Sequence, residues 1–230
     1  MFANFDFNEI IRSLPFLFYQ GMTFTLTLTA LATAGGIVIG TALALMRLSG
    51  VALIAAPAAA YVNLMRAVPF VLMIFWFYFL VPYIGQWVTF SAQPVQVGAL
   101  ASSLITFTLF EAAFFCEIMR AGIQSIPRGQ VDAALALGMT YPTVMGSVVL
   151  PQAFRNMLPV LLTQTIVLFQ DTSLVYVIAV TDFLGAASKV AERDGRLVEM
   201  YTFAAFVYFV VSLTASRAVQ HLQRRLAVVR

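Results

Sequence analysis

Five stretches of this 230-residue chain are each long and apolar enough to cross a lipid bilayer, and no other feature constrains its fold as much. A membrane-crossing helix takes about 20 mainly apolar residues, because its backbone polar groups must find partners inside the segment. The stretches run near residues 21–46, 52–81, 97–119, 157–181 and 201–218. The expected fold is an all-α integral membrane protein with five transmembrane helices. The second stretch holds Arg66 and Pro69, so it is expected to be kinked or tilted. Composition agrees: 61% of residues are hydrophobic and 10% charged, where a soluble domain carries roughly a quarter charged. That excludes a soluble enzyme, a disordered chain and a secreted disulfide scaffold. A net charge of +3 leaves no basic face for nucleic acid. Cys116 is the only cysteine and reads as a small buried hydrophobe, and His221, in the tail, is the only histidine.

Five spans place the two ends on opposite sides, and the positive-inside rule selects the orientation. With the C-terminus inside, the inner segments carry Arg47, Arg120, Arg128, Arg155, Arg217, Arg224, Arg225 and Arg230, eight cations in all. The outer segments then carry four, Arg12, Lys189, Arg193 and Arg196. The N-out, C-in arrangement is therefore expected. Residues 1–20 form an outer N-terminal segment, 21–218 the membrane domain and 219–230 an inner tail. The outer hairpin 182–199 is the most charged stretch. Asp6, Glu9 and Arg12 precede the first span without a basic leader or a cleavage site, so that span is expected to be retained.

The first span carries Ala32, Gly36, Gly40 and Ala44 at every fourth position. These share one helix face and allow close approach of a second helix, either within this subunit or at a seam between subunits. Trp76, Tyr78, Tyr83 and Trp87 cluster toward the outer end of the second span and read as interfacial anchors. Catalytic constellations are missing: there is no Gly-x-Ser-x-Gly, no His-Glu-x-x-His and no phosphate-binding Gly-x-x-x-x-Gly-Lys. The chain has no repeated halves of the kind common in secondary transporters.

The segment between spans three and four is the most informative. Glu117 and Arg120 are followed by Gln130, Asp132, Ala133, Ala134, Leu135, Leu137, Gly138 and Met139, and then by Leu150, Pro151 and Gln152. Residues 132–137 favour a short helix with an acid near its N-terminus, and Gly138 is suited to stop it with a positive φ. A helix this short is marginal alone and needs a partner surface.

This segment resembles the EAA loop of ABC importer permeases, which docks into a groove on an ATPase subunit as a coupling helix. Asp132 takes the place of the family's usual Glu, Ala133 and Ala134 match its alanines, and Gly138 its glycine. The resemblance implies that Leu135, Leu137 and Met139 fill the partner's groove. Stretches around Tyr61 and Asn63, Phe110-Glu111-Ala112-Ala113, Leu161 to Gln164, Leu168 to Tyr176 and Glu192 to Gly195 look like permeases for polar amino acids, most of all those for glutamate and aspartate. The resemblance implies a bacterial inner-membrane subunit with no enzymatic activity or cofactor of its own. It would sit on an ATPase dimer that uses ATP and Mg, beside itself or a second homologous permease, and receive substrate from a periplasmic amino-acid-binding protein. Nucleic acid is not an expected partner.

Arg66, Glu111 and Asp171 fall near mid-depth of spans two, three and four. Charges in hydrocarbon are costly and face a bundle interior or a cavity. Two readings stand: a structural ion network, or a translocation site. In the second, Arg66 meets a substrate carboxylate, Glu111 or Asp171 meets the ammonium, and Gln164, Thr172 and Ser173 act as neutral partners. Glu117 and Arg120 are spaced for a local pair, or for one that shifts with gating. The rival functions are an ion-coupled transporter with Glu111 or Asp171 as proton carrier, and a non-transporting scaffold.

Overall fold

The computed structural model describes residues 5–226, all helix and connecting loop. The first apolar run is longer than the hydropathy alone suggests. Helix α1 (Phe7–Phe16) passes through a π-helical segment (Leu17–Met22) into α2 (Thr23–Leu48), giving one continuous helix of 42 residues, Phe7–Leu48. Residues 7–20 are thus part of the same continuous helix as the first apolar run. The cause is local: the Asp6 side chain accepts a hydrogen bond from the Asn8 N–H at 2.9 Å and caps the helix start, and Ile10 and Leu17 are buried.

The second apolar run is two helices. Residues 52–81 do not form one kinked span: α3 (Ala52–Ala67) stops, and α4 (Phe70–Thr89) begins after a break at Val68 and Pro69. Pro69 disfavours the α conformation for the residue before it, and Val68 is extended at φ −101°, ψ 136°. With 16 residues, α3 reaches about 24 Å, short of a hydrocarbon core of about 30 Å. Only α4 of this pair is long enough to cross. Trp76, Tyr83 and Trp87 on α4 are exposed.

Then follow α5 (Ala99–Gln124), α6 (Arg128–Ala136) and α7 (Tyr141–Val144), which runs through a second π-helical segment (Met145–Val149) into α8 (Leu150–Asp171). A 3-10 stretch (Thr172–Ile178) leads to α9 (Phe183–Asp194) and α10 (Leu197–Leu226). Among the described residues five helical segments are long and apolar enough to cross a membrane: Phe7–Leu48, Phe70–Thr89, Ala99–Gln124, Tyr141–Ile178 and Leu197–Leu226. Much of the expected outer hairpin is α9, and α10 takes in most of the expected tail. Arg230 lies outside the described residues.

The bundle is organised around α5. Gly35 faces Thr108, Gly36 faces Glu111 and Phe115, Gly40 faces Ala112 and Cys116, and Arg47 reaches Glu117, so α2 and α5 run parallel. The small-residue face of α2 is therefore used inside this subunit, and the reading of it as a seam between subunits is overturned. A Cβ on Gly40 would lie 2.9 Å from the Ala112 carbonyl oxygen and 2.9 Å from Phe115 Cβ. In lipid, where apolar side chains gain little from meeting each other, such close backbone approach is the main source of helix association. α8 packs antiparallel on α5: Gly122 faces Met157 and Ala153, and Gln164 reaches Glu111.

At the opposite end from α6, α9 packs across the start of the long first helix and α10 through Phe183, Ala186, Ala187, Val190 and Met200. Asp182 caps α9, accepting from the N–H groups of Leu184 at 3.0 Å and Gly185 at 2.9 Å. Burial pushes its carboxyl up to about 6, against the pull of those hydrogen bonds.

Gly40→Ala is expected to lower stability by about 1–3 kcal/mol through overpacking of α2 on α5, seen as a lower thermal midpoint in detergent. Gly129→Ala, where a Cβ meets nothing within 4 Å, should leave it unchanged. Asp182→Asn keeps the capping oxygen and removes the buried charge. The folded carboxyl holds its proton up to about 6, above the ordinary aspartate range, so its contribution is complete below about 4 and fades as pH rises through 6. The midpoint of Asp182→Asn relative to the parent should therefore rise between pH 4 and 7. A flat difference across that range would contradict the assignment.

Candidate functional site

Two regions carry the expected functional residues. The first is α6. It begins at Arg128, four residues before Asp132, after Pro127 has ended the preceding turn. Its stop is a two-bond cap: the Met139 N–H donates to the Ala134 carbonyl at 3.2 Å and the Gly138 N–H to the Leu135 carbonyl at 2.9 Å. Gly138 sits at φ +82°, which suits glycine and strains other residues.

The helix has two faces. Val131, Ala134 and Met139 turn inward onto Ile126, Val144, Val149 and Ala153. Asp132, Ala133, Leu135 and Leu137 turn outward, with Leu135 42% and Leu137 84% exposed. Ala134 is buried and Met139 half-buried against the chain itself, the i, i+3 spacing of Val131 and Ala134 putting both of those on the packed side. A side-chain hydrogen bond of 2.7 Å between Gln152 and Gln130 ties α8 to the start of α6.

The second region lies in the bundle. Glu111 is fully buried between α2 and α8. Gln164 donates to its Oε2 at 3.0 Å, and Oε1 has no partner among the described residues. Asp171, two turns further along α8, lies within electrostatic range of Glu111 and makes no ion pair among the described residues. Glu111 and Gln164 thus form a polar pair inside the bundle, with Asp171 two turns further along α8, and among the described residues no cation pairs with either carboxyl.

The other expected members lie elsewhere. Thr172 is buried and donates to the Phe169 carbonyl at 2.7 Å. Ser173 lines a different groove of about 340 Å³ with Gln170, Tyr208 and Ser212, between α8 and α10. Arg66 is not beside Glu111. Because α3 ends at Ala67, Arg66 comes to Glu117: its Nη1 is 3.8 Å from Glu117 Oε1, and its guanidinium carbon is 5.6 Å from the Phe114 ring centre.

Glu117 gathers more than its expected neighbour. Arg120 donates to Glu117 Oε2 through Nη2 at 2.7 Å and Nε at 3.2 Å. Arg47, from the last turn of α2, donates to Oε1. Sequence reasoning missed Arg47 because it is 70 residues away, with no spacing rule to connect the two. One carboxylate thus holds together the ends of α2, α3 and α5 nearest α6.

A family model for the inner-membrane component of binding-protein-dependent transport systems matches residues 36–228. The glutamate/aspartate import permease protein GltK of Escherichia coli O157:H7 is 53% identical over 223 residues, covering 97% of this chain and 99% of the relative. The probable amino-acid ABC transporter permease protein YckA of Bacillus subtilis (strain 168) is 32% identical over 97% of this chain and 94% of its own length. Among solved structures, an amino acid ABC transporter crystallised with histidines superposes with a TM-score of 0.84 at 32% identity, covering 96% of this chain and 98% of that one. The inward-facing MetNI methionine ABC transporter, at 19% identity and a TM-score of 0.75 over 93% of this chain and 97% of its own, shares the fold. The chain belongs to the inner-membrane permease family of binding-protein-dependent ABC transporters, in its polar amino-acid branch.

Proposed function

We propose that this subunit imports glutamate or aspartate, with its N-terminus outside and its C-terminus inside, and that α6 is its coupling helix. The observation that carries the coupling reading is the split face of α6. Val131, Ala134 and Met139 anchor it to its own chain, while Leu135 and Leu137 stand in the open at the bundle end, where an apolar side chain is costly unless a partner covers it. The partner is one protomer of an ATPase dimer, which binds ATP and Mg. A second permease, a like chain or a copy, completes the path. A periplasmic amino-acid-binding protein delivers substrate at the α9 end. This chain supplies path and lever, and catalysis stays with the ATPase.

The near full-length likeness to the glutamate/aspartate permease supports the substrate. The carboxyls of Glu111 and Asp171, which no cation pairs among the described residues, suit the ammonium group common to all amino acids. In alternating access, closure of the ATPase dimer on ATP moves α6. Because α6 shares its core with the start of α8 and the end of α5, those helices move with it.

Leu137→Glu should leave the chain folded, since Leu137 touches little of it, and should release the ATPase from the tagged complex in a gentle pull-down. Retention of the ATPase would sink the coupling assignment. In proteoliposomes of the full complex, Glu111→Gln keeps the partnership with Gln164 and removes charge. It should cut glutamate uptake about tenfold or more, the worth of one charge-assisted contact, with assembly unchanged. Gln164→Ala should lower the thermal midpoint, by about 1–3 kcal/mol in stability, because it leaves a buried carboxyl without its donor.

A further inference from the structure

We propose that the outward face of α8, from Asn156 to Gln170, is the seam with the second permease, packed in parallel on the corresponding helix of that subunit. This rests on the reading above that a second permease completes the path.

Among the described residues from Asn156 to Gln170, only Asn156, Val160, Thr163, Val167 and Gln170 are exposed. Successive members are four, three, four and three residues apart. That is the spacing of a helix that meets another side by side. The stripe extends about 21 Å along the axis, within the apolar segment Tyr141–Ile178. Val160 and Val167 take the alternate positions at which β-branched residues favour two parallel strands, and the polar residues take the others.

Those polar residues decide the occupant. Lipid tails offer neither donor nor acceptor, so amides at this depth call for protein partners. Asn156 donates to Ser125 Oγ at 2.9 Å through its nitrogen, and the Thr163 hydroxyl returns to the Pro159 carbonyl at 2.9 Å. The Gln170 amide makes no hydrogen bond among the described residues. An amide carries donor and acceptor together, so it can pair with a like residue across a two-fold axis. An axis along the membrane normal runs the two α8 helices parallel and in register.

The ground on either side of the stripe has room for a helix. At the α6 end, a groove of about 390 Å³ toward α5 is lined by Asn156, Val160 and Ser125 among others. At the α9 end, one of about 340 Å³ toward α10 is lined by Gln170 and Ser212 among others. Ser212 is 7% exposed, and its Oγ has no partner among the described residues. A helix crossing α8 at the shallow angle of a heptad seam enters both grooves.

The test uses the purified complex of permeases and ATPase, with the photo-reactive amino acid benzoylphenylalanine placed at Val160 or Val167, and at Phe206, exposed on α10, as the control. On irradiation, both valine probes should join this chain to the second permease, at a peptide from the helix that follows its coupling loop. The same product from Phe206 overturns the seam, since the contact then does not depend on the stripe. Gln170→Leu should lower the fraction of complexes that keep both permeases in detergent about threefold, the size of one interhelical hydrogen bond in a membrane, and Gln170→Asn should recover part of it. Where a probe blocks assembly, Gln170→Leu decides, and unchanged retention overturns the seam. Thr163→Cys, in a Cys116→Ala background, should resist a charged maleimide in the complex. Rapid labelling makes the stripe the wall of a water-filled path and overturns the seam. Products with lipid, within one chain or on another helix of the second permease also overturn it, and leave the paired permeases standing. A complex with a single permease chain overturns the pairing, and the seam with it.

Discussion

Contact between α2 and α5 along Gly36 and Gly40 is the constraint on which the rest of the structure depends. A Cβ at either glycine would press to 2.9 Å on Phe115, so these positions hold two parallel helices at backbone distance. That approach buries Glu111 and aims it at α8. It also brings Arg47, at the end of α2, onto Glu117. Glu111 and the charged cluster therefore both lie on α5, on faces that α2 and α8 define. Moving α2 outward by even a methyl group would alter both.

Sequence reasoning read these parts unequally. The helical class, the number of long apolar segments, the small-residue face of α2 and the turn at Gly138 follow from local pattern, and each is present. The break at Val68 was marked by Pro69, yet hydropathy runs unbroken across it, so the run looked like one span. Counting Arg66 inward from Ala52 then put it at mid-depth, because that count treats α3 as part of a crossing helix. In α6, the residue types matched a docking helix. Which of them face out depends on the packing of Ala134 and Met139 beneath, and a nine-residue pattern underdetermines that. The gathering of Arg47, Arg66 and Arg120 on Glu117 is tertiary and had no local signal beyond the i, i+3 pair.

Charge is distributed in opposite senses along α5. Near its middle, Glu111 is buried against Gln164 of α8 and pairs with no cation among the described residues. Near its end, guanidiniums outnumber the carboxylate they share. The helix that carries both is the one against which α2, α3, α4 and α8 all pack, so the electrostatic profile is built into the most constrained element.

The way α6 is fastened has a mechanical consequence. Its start is tied to α8 by Gln130 and Gln152, its end is closed by its own cap bonds from Gly138 and Met139, and its underside is wedged among Ile126, Val144, Val149 and Ala153. Such a mounting has little compliance. A force applied at Leu137 would pass into α5 and α8 together, because α6 shares its buried core with the end of one and the start of the other. A loosely attached helix would take up the same load by moving on its own.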